Sequence, residues 1–80
     1  MGKLFSKDED INSSPPIFGY KILQLMNKKK TKRISLFDVS DNFQNEKWFN
    51  PRNLFFAMMF LYSLDLIKSE QPYIVLKDEN

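Results

Sequence analysis

The sequence predicts a single small α+β domain, with three helices followed by a β-hairpin. The chain has 80 residues, and a chain of this length buries only about 60% of the surface that it exposes when unfolded. Hydrophobic residues make up 42% of it and charged residues 28%, which is typical of a globular protein. Apolar residues at helical spacing over most of the chain, and a β-rich run near its end, predict this fold class.

A first helix is predicted to begin at Pro15, after an N-terminal tail that covers residues 1–14. Proline is tolerated in the first turn of a helix because the N–H groups there have no partner within the helix, and Ser14 is a suitable N-cap. Apolar residues then recur on one helical face, and the basic stretch at residues 27–33 ends the helix. These apolar residues are Phe18, Ile22, Leu25 and Met26.

A short strand and a second helix are predicted next. Ile34 lies in a short extended stretch, and Ser35 followed by Asp38 forms an acceptable capping box, the pattern that opens a helix. One narrow apolar stripe follows at helical spacing, and the turn after it is expected within residues 42–49. The stripe consists of Leu36, Val39 and Phe43.

The third helix has the clearest start in the chain, at Asn50 and Pro51. Asparagine is a favoured N-cap, and proline at the next position presets the helical backbone angle. This helix is predicted to run to about Leu64 and to be followed by two short strands, at residues 66–70 and 73–77. Gln71 and Pro72 form the turn between the strands, and residues 78–80 are expected to be frayed.

The order of these elements is helix, short strand, helix, helix and β-hairpin. This is the order of a winged helix-turn-helix, in which the hairpin is the wing and the short strand joins it in a sheet. The sequence therefore predicts a winged helix-turn-helix domain over residues 15–77.

The composition excludes most catalytic and metal-binding chemistry. The chain has no cysteine and no histidine, which removes disulfides, thiol nucleophiles, zinc sites built from these ligands and histidine acid–base catalysis. Its two glycines are too few for a glycine-rich phosphate loop. We therefore expect a protein that is not an enzyme and that carries no cofactor and no metal.

The third helix carries more apolar surface than one buried face needs. A helix that is apolar all round must be covered on all sides, and this domain has too few other elements to cover it. The stripe expected in the core consists of Leu54, Ala57, Met58, Leu61 and Leu64. The other apolar side chains of this helix are Phe55, Phe56, Met59, Phe60 and Tyr62.

Uncovered aromatic residues and methionines of this kind are typical of protein interfaces. We predict that these five side chains bind a partner protein, with Leu4 and Phe5 joining them on binding. The alternative is that Leu4, Phe5 and the hairpin fold over them within the same chain.

A run of basic residues follows the first helix. The whole chain has a net charge of only +2, which does not by itself predict nucleic acid binding. The candidate phosphate contacts are Lys28, Lys29, Lys30, Lys32 and Arg33, together with Arg52 on the third helix. Two alternatives stay open: a solvated linker with lysines near a helix C-terminus, where the helix dipole favours them, or a contact for an acidic protein face.

No membrane-spanning segment is predicted. The longest apolar stretch, at residues 54–67, is interrupted by Ser63 and Asp65 and is shorter than the roughly 20 residues that a spanning helix needs. The N-terminal segment has no apolar core of a signal peptide. We therefore expect a cytoplasmic protein that does not contact a membrane.

Several segments resemble the small middle component of bacterial ABC three-component systems, and the sixth type of middle component most. These segments are KLFS with DEDIN close behind, SPPIFGYKILQLM, KRISLFDV and the ending NPRNLFFAMMFLYSLDLIKSEQPYIVLK. The resemblance covers nearly the whole chain, but many winged-helix proteins share such an ending. The chain departs from the common pattern at Gln71 and Pro72, where a glycine-bearing wing turn is expected.

The resemblance implies a winged-helix protein encoded beside an ABC-type ATPase and a separate effector protein. Such systems act in conflict with phage or other mobile elements, and the middle component connects the ATPase to the effector. The family supplies no catalytic residues. We therefore expect a non-enzymatic adaptor, and the alternative is a winged-helix DNA-binding transcriptional regulator or DNA-sensing subunit.

Overall fold

The computed structural model describes residues 11–77, which form three α-helices and a three-stranded sheet. A 3-10 turn at Ile11–Ser13 lies within the segment predicted as a tail. The predicted α+β class and the winged helix-turn-helix order are confirmed, with strand and third-helix ends that differ from the prediction by one residue. The elements are α1 (Pro15–Lys28), β1 (Arg33–Ser35), α2 (Leu36–Phe43), α3 (Pro51–Ser63), β2 (Ile67–Glu70) and β3 (Tyr73–Leu76).

The sheet is antiparallel, with β3 in the centre and β1 and β2 on its two sides. The pairs Ser35–Tyr73 and Glu70–Tyr73 set the register at the tip of the hairpin, where Gln71 and Pro72 form the turn through a cis peptide bond. The tip lies against the start of α2, because the Leu36 N–H donates to the Pro72 carbonyl oxygen at 2.8 Å. The short strand thus joins the wing, as the sequence predicts.

The core lies between the three helices and the inner face of the sheet. All four apolar residues predicted for α1 are buried, as are Val39 and Phe43 of α2. Three residues of the predicted α3 core stripe are buried as well, namely Leu54, Ala57 and Leu61.

The expectation that Leu64 belongs to the core is wrong, since this side chain is 52% exposed. Leu64 is the C-cap residue of α3, and the backbone leaves the helical path at the next residue, Asp65, where φ is 62°. A side chain at this position no longer continues the buried stripe of the helix.

An aromatic cluster fills one end of the core. The ring of Phe18 on α1 lies 5.4 Å from Phe43, 4.9 Å from Trp48 and 5.9 Å from Phe49, in edge-to-face arrangements. Trp48 and Phe49 belong to the connection between α2 and α3 at residues 44–50. The heavy aromatic content therefore has a structural use here, because these rings hold the connection against α1.

Side-chain caps start two of the helices. The Asp38 N–H donates to Ser35 Oγ at 3.0 Å, and the Asn53 N–H donates to Asn50 Oδ1 at 2.8 Å. Ser14 occupies the N-cap position of α1 but accepts no cap hydrogen bond, and its hydroxyl donates instead to the Ile11 carbonyl. Because proline occupies the start of α1 and has no N–H, fewer donors remain there for a cap to satisfy.

The C-termini of α1 and α3 end in the same motif. The Thr31 N–H donates to the Met26 carbonyl, and the Leu66 N–H donates to the Leu61 carbonyl, each across a residue with positive φ. Those residues are Lys30, with φ of 55°, and Asp65. This is the hydrogen-bond pattern of a Schellman motif, in which glycine is the usual residue at that position.

Candidate interaction site

Helix α3 is apolar on its outward side as well as on its buried side. Four of the five side chains predicted to bind a partner are largely uncovered among the described residues, with Phe55 56% exposed and Tyr62 49% exposed. Phe56 and Met59 are also exposed. We call these four residues, Phe55, Phe56, Met59 and Tyr62, the α3 surface.

Phe60, the fifth predicted contact, lies elsewhere. It is half-buried and packs against the core from the side of α3 that faces α1. A Cβ atom at Gly19 of α1 would come within 3.5 Å of the Phe60 ring and 3.1 Å of Leu61. The absence of a side chain at Gly19 therefore lets α1 and α3 approach closely, and Phe60 helps to fill that contact.

A groove of about 360 Å³ runs along the opposite flank of α3. Its floor is formed by side chains of the core and its outer rim by members of the α3 surface. Ile67, Ser69 and Gln71 line it from β2 and the turn after it. From the helices the lining residues are Leu36, Pro51, Leu54, Phe55, Met58, Met59 and Tyr62.

The α3 surface is almost free of charge. Arg52 is the one charged side chain on α3, and its guanidinium lies 5.7 Å from the centroid of the Phe56 ring. The Phe55 and Phe56 rings are 5.7 Å apart in an edge-to-face arrangement. An aromatic surface with a single arginine has the composition typical of the centre of a protein–protein interface.

The predicted basic run is folded into a defined turn. Lys28 ends α1, Lys29 is its C-cap and Lys30 is the residue with positive φ in the Schellman motif. Thr31 Oγ1 donates to the Arg33 carbonyl at 2.8 Å and accepts from the Arg33 N–H at 3.2 Å. These bonds fix the backbone that carries the lysines, whose side chains are exposed.

Some of the basic side chains line two separate hollows. Lys28 lines a polar hollow between α1 and α2, together with Lys21 and Asn42. Lys30 and Lys32 line a different hollow, beside β3. None of these residues lies on α3.

Two of the cations predicted to contact phosphate lie over aromatic rings. The guanidinium of Arg33 lies 3.9 Å from the centroid of the Tyr73 ring, across the β1–β3 pair. Arg52 lies over Phe56 as described. Such cation–π contacts stabilise a folded domain, so both side chains have a structural partner within it.

Two exposed aromatic residues outside α3 were not among the predicted contact residues. Phe37 on α2 is 70% exposed and Tyr20 on α1 is 60% exposed. Both lie off the apolar stripes of their helices, so a helical wheel of α1 and α2 identifies them as outward-facing. Leu4 and Phe5, which were predicted to join the interface, lie outside the described residues.

In the described part of the chain we find no helix with the length and hydrophobicity to span a membrane. Comparisons with protein-family models, with curated proteins and with solved structures gave no significant match. The resemblance to middle components therefore rests on the sequence segments given above, and the interaction site rests on its own geometry.

Proposed function

We propose that this chain is a non-enzymatic adaptor that binds partner proteins through the α3 surface. The observation that supports this proposal is the exposure of Phe55, Phe56, Met59 and Tyr62 on one helix. A fully exposed aromatic or similarly large side chain contributes about 150–250 Å², so four that are half exposed present roughly 400 Å² of apolar surface. The largest apolar patch on a typical monomer is about 300–600 Å² and is often functional, and this domain of 80 residues carries one in that range.

The identity of the partners comes from the family resemblance. We propose that one partner is an ABC-type ATPase and that the other is an effector protein, both encoded nearby, in a cytoplasmic bacterial system directed against phage or mobile elements. ATP-driven movement of the ATPase would be passed to the effector through the adaptor, which itself performs no chemistry. Leu4 and Phe5 would join the contact when the partner binds.

Helix α3 occupies the position of the recognition helix in a DNA-binding helix-turn-helix. Base reading from that helix needs outward-facing arginine, asparagine, glutamine or serine side chains. The outward side of α3 instead carries the α3 surface, with Arg52 as its single charge. This composition favours binding of a protein over reading of a DNA sequence.

The adaptor proposal is tested by capture of the neighbouring gene products. The tagged full-length chain is co-expressed with the ATPase and the effector, and the bound proteins are identified after purification. We expect capture by the natural protein and its loss with Phe56→Ser, because the substitution removes an apolar anchor from the α3 surface. Phe37→Ser is the matched control, since Phe37 is at least as exposed but lies on α2, and it should capture normally. A chain that captures neither neighbour contradicts the proposal.

A second candidate function is DNA binding through the basic turn. It is favoured by one observation, the exposure of Lys28, Lys29, Lys30, Lys32 and Arg33 around the end of α1 in a winged-helix domain. Contacts of this kind bind phosphate without sequence preference and weaken steeply with salt.

This second candidate predicts that replacing the five cations by glutamine lowers DNA affinity and flattens its salt dependence. A control variant with Lys47 and Lys77 replaced by glutamine removes charge elsewhere on the domain and should bind DNA as the natural protein does. DNA retention that is unchanged by the five substitutions excludes this function.

A further inference from the structure

β2 is an edge strand, and its outer side has no partner among residues 11–77. The Lys77 N–H donates to the Leu66 carbonyl, and the register continues unbroken through β2. In an antiparallel ladder the backbone groups of successive residues point alternately toward the partner strand and away from it. The N–H and C=O groups of Ile67 and Ser69 therefore point away from β3, toward the open edge.

The apolar groove lies beside the same edge. Its lining from the sheet comes from β2 and the turn after it, and no residue of β3 takes part. The helical rim of the groove is formed by Phe55, Met59 and Tyr62 of α3. An unpaired strand edge and an uncovered apolar surface are thus adjacent, which is the arrangement that strand addition requires.

We infer that this edge pairs with β2 of a second copy of the chain. The two strands run antiparallel about a twofold axis at Ser69, so that Ser69 faces Ser69 of the second copy. The axis is perpendicular to the sheet, which keeps both α3 helices on the same face of the combined sheet. The rims formed by Phe55, Met59 and Tyr62 then meet across the axis and close both grooves.

The charges on the solvent face of β2 select this register. Lys68 and Glu70 lie on that face, and both side chains are about half exposed. Lys68 Nζ lies 3.4 Å from Glu70 Oε2 of the same chain. With Ser69 on the axis, Lys68 faces Glu70 of the second copy. By symmetry, Glu70 faces Lys68 of the second copy, so the dimer has two attractive pairs. A shift by two residues in either direction keeps the backbone bonds but sets Lys68 against Lys68 or Glu70 against Glu70, and like charges directly opposite each other destabilise a strand pair.

The expected interface is small. Three half-exposed side chains from each copy, together with the two strand edges, bury roughly 1,000 Å² in total. This is near the lower limit for a specific interface, so the dimer should be weak, with a dissociation constant of roughly 100 µM or below. Phe56 lies about 100° further round α3 than Phe55 and does not line the groove. Phe56 remains open to another protein, whereas Phe55, Met59 and Tyr62 are shared, so a partner that binds the whole α3 surface would compete with the dimer. Dimerisation of the isolated chain goes beyond the adaptor function and does not depend on it.

Sedimentation velocity of the full-length chain over a range of concentrations tests this inference. Lys68→Glu sets a glutamate opposite Glu70 of the second copy, and Glu70→Lys sets a lysine opposite Lys68 of the second copy. Each substitution creates two such repulsive pairs per dimer, so each should raise the dissociation constant about tenfold. The double variant restores both attractive pairs and should dimerise like the natural chain. Ser69→Pro removes an N–H that points away from β3, and proline is tolerated on an edge strand. This variant should therefore be folded by circular dichroism and monomeric by sedimentation velocity.

A natural chain that stays monomeric up to about 500 µM, well above the expected dissociation constant, overturns the inference. Single charge reversals that leave the association unchanged overturn it as well. A third contrary result is a chain that dimerises only after residues 1–10 are removed, because the occupant of the edge would then be the chain's own N-terminal segment. Failure of the partner capture described above leaves all these outcomes unaffected, so the two proposals are tested separately.

Discussion

Replacing Gly19 by alanine tests whether α1 and α3 depend on a close approach. Glycine inside a helix is about 1 kcal/mol less favourable than alanine, so at an open position the substitution stabilises the protein. At Gly19 the added Cβ would lie 3.1 Å from Leu61 Cδ2 and 3.2 Å from Leu61 Cγ. These distances are shorter than the roughly 3.5–4.0 Å at which carbon atoms attract each other.

Leu61 has little room to move away. It is 1% exposed, and the contact includes its branch point, so rotation of one methyl group does not relieve the crowding. Overpacking of a core typically costs about 1–3 kcal/mol, and the middle of that range, about 2 kcal/mol, exceeds the gain of about 1 kcal/mol in helix propensity. We expect Gly19→Ala to lower the free energy of unfolding by about 1 kcal/mol, which corresponds to a melting temperature about 4–8 °C lower for a domain of this size.

Urea and thermal unfolding followed by circular dichroism measure this change. Leu61→Val removes one carbon from the crowded side chain, so the loss caused by Gly19→Ala should be smaller in the Leu61→Val background than in the natural protein. Such non-additivity is the mark of residues in contact. A higher melting temperature for Gly19→Ala, or strict additivity of the two substitutions, would refute the argument.

Three further substitutions test the helix ends and the aromatic cluster by the same unfolding measurements. Lys30→Gly should stabilise the chain by about 1 kcal/mol, because a residue other than glycine with positive φ is strained by roughly that amount. Lys29→Gly should give no gain, since Lys29 has a right-handed helical backbone. Equal effects at both positions would contradict this prediction. Asn50→Ala should cost about 1 kcal/mol through loss of the N-cap bond, and no loss would mean that this bond contributes nothing. Phe18→Ala should cost about 3–5 kcal/mol by removing the ring shared by Phe43, Trp48 and Phe49, and a loss below about 1 kcal/mol would show that the cluster repacks without it.

Local signals predicted the helices and strands well. The pairs Ser35–Asp38 and Asn50–Pro51 mark helix starts by simple hydrogen-bond and backbone rules, and both are helix starts in the structure. The β-rich run at residues 73–76 predicted the central strand for the same reason, since β-branched and aromatic residues favour that conformation.

The features that the sequence did not predict depend on how one helix or strand packs against another. The turn after α3 removes Leu64 from the core, and nothing in the periodicity of the helix indicates where the turn falls. The close contact at Gly19 places Phe60 against α1, which a helical wheel of α3 alone does not show. The groove forms between α3 and β2, and its shape depends on how the sheet packs against the helix.

The positions of the basic side chains also depend on the folded backbone and not on the sequence alone. Its residues are adjacent in sequence, yet the Schellman motif at Lys30 sends Lys28 and Lys32 to different hollows. A cluster of charges in the sequence becomes a patch on the surface only when the backbone keeps their side chains on one side.

The hydrogen bond between the Leu36 N–H and the Pro72 carbonyl oxygen has a consequence for recognition. It ties the hairpin tip to the start of α2, which restrains the wing from swinging outward. A binding partner therefore meets a rim of fixed shape and loses little conformational entropy of this chain on association. A modest contact area can for that reason support specific binding.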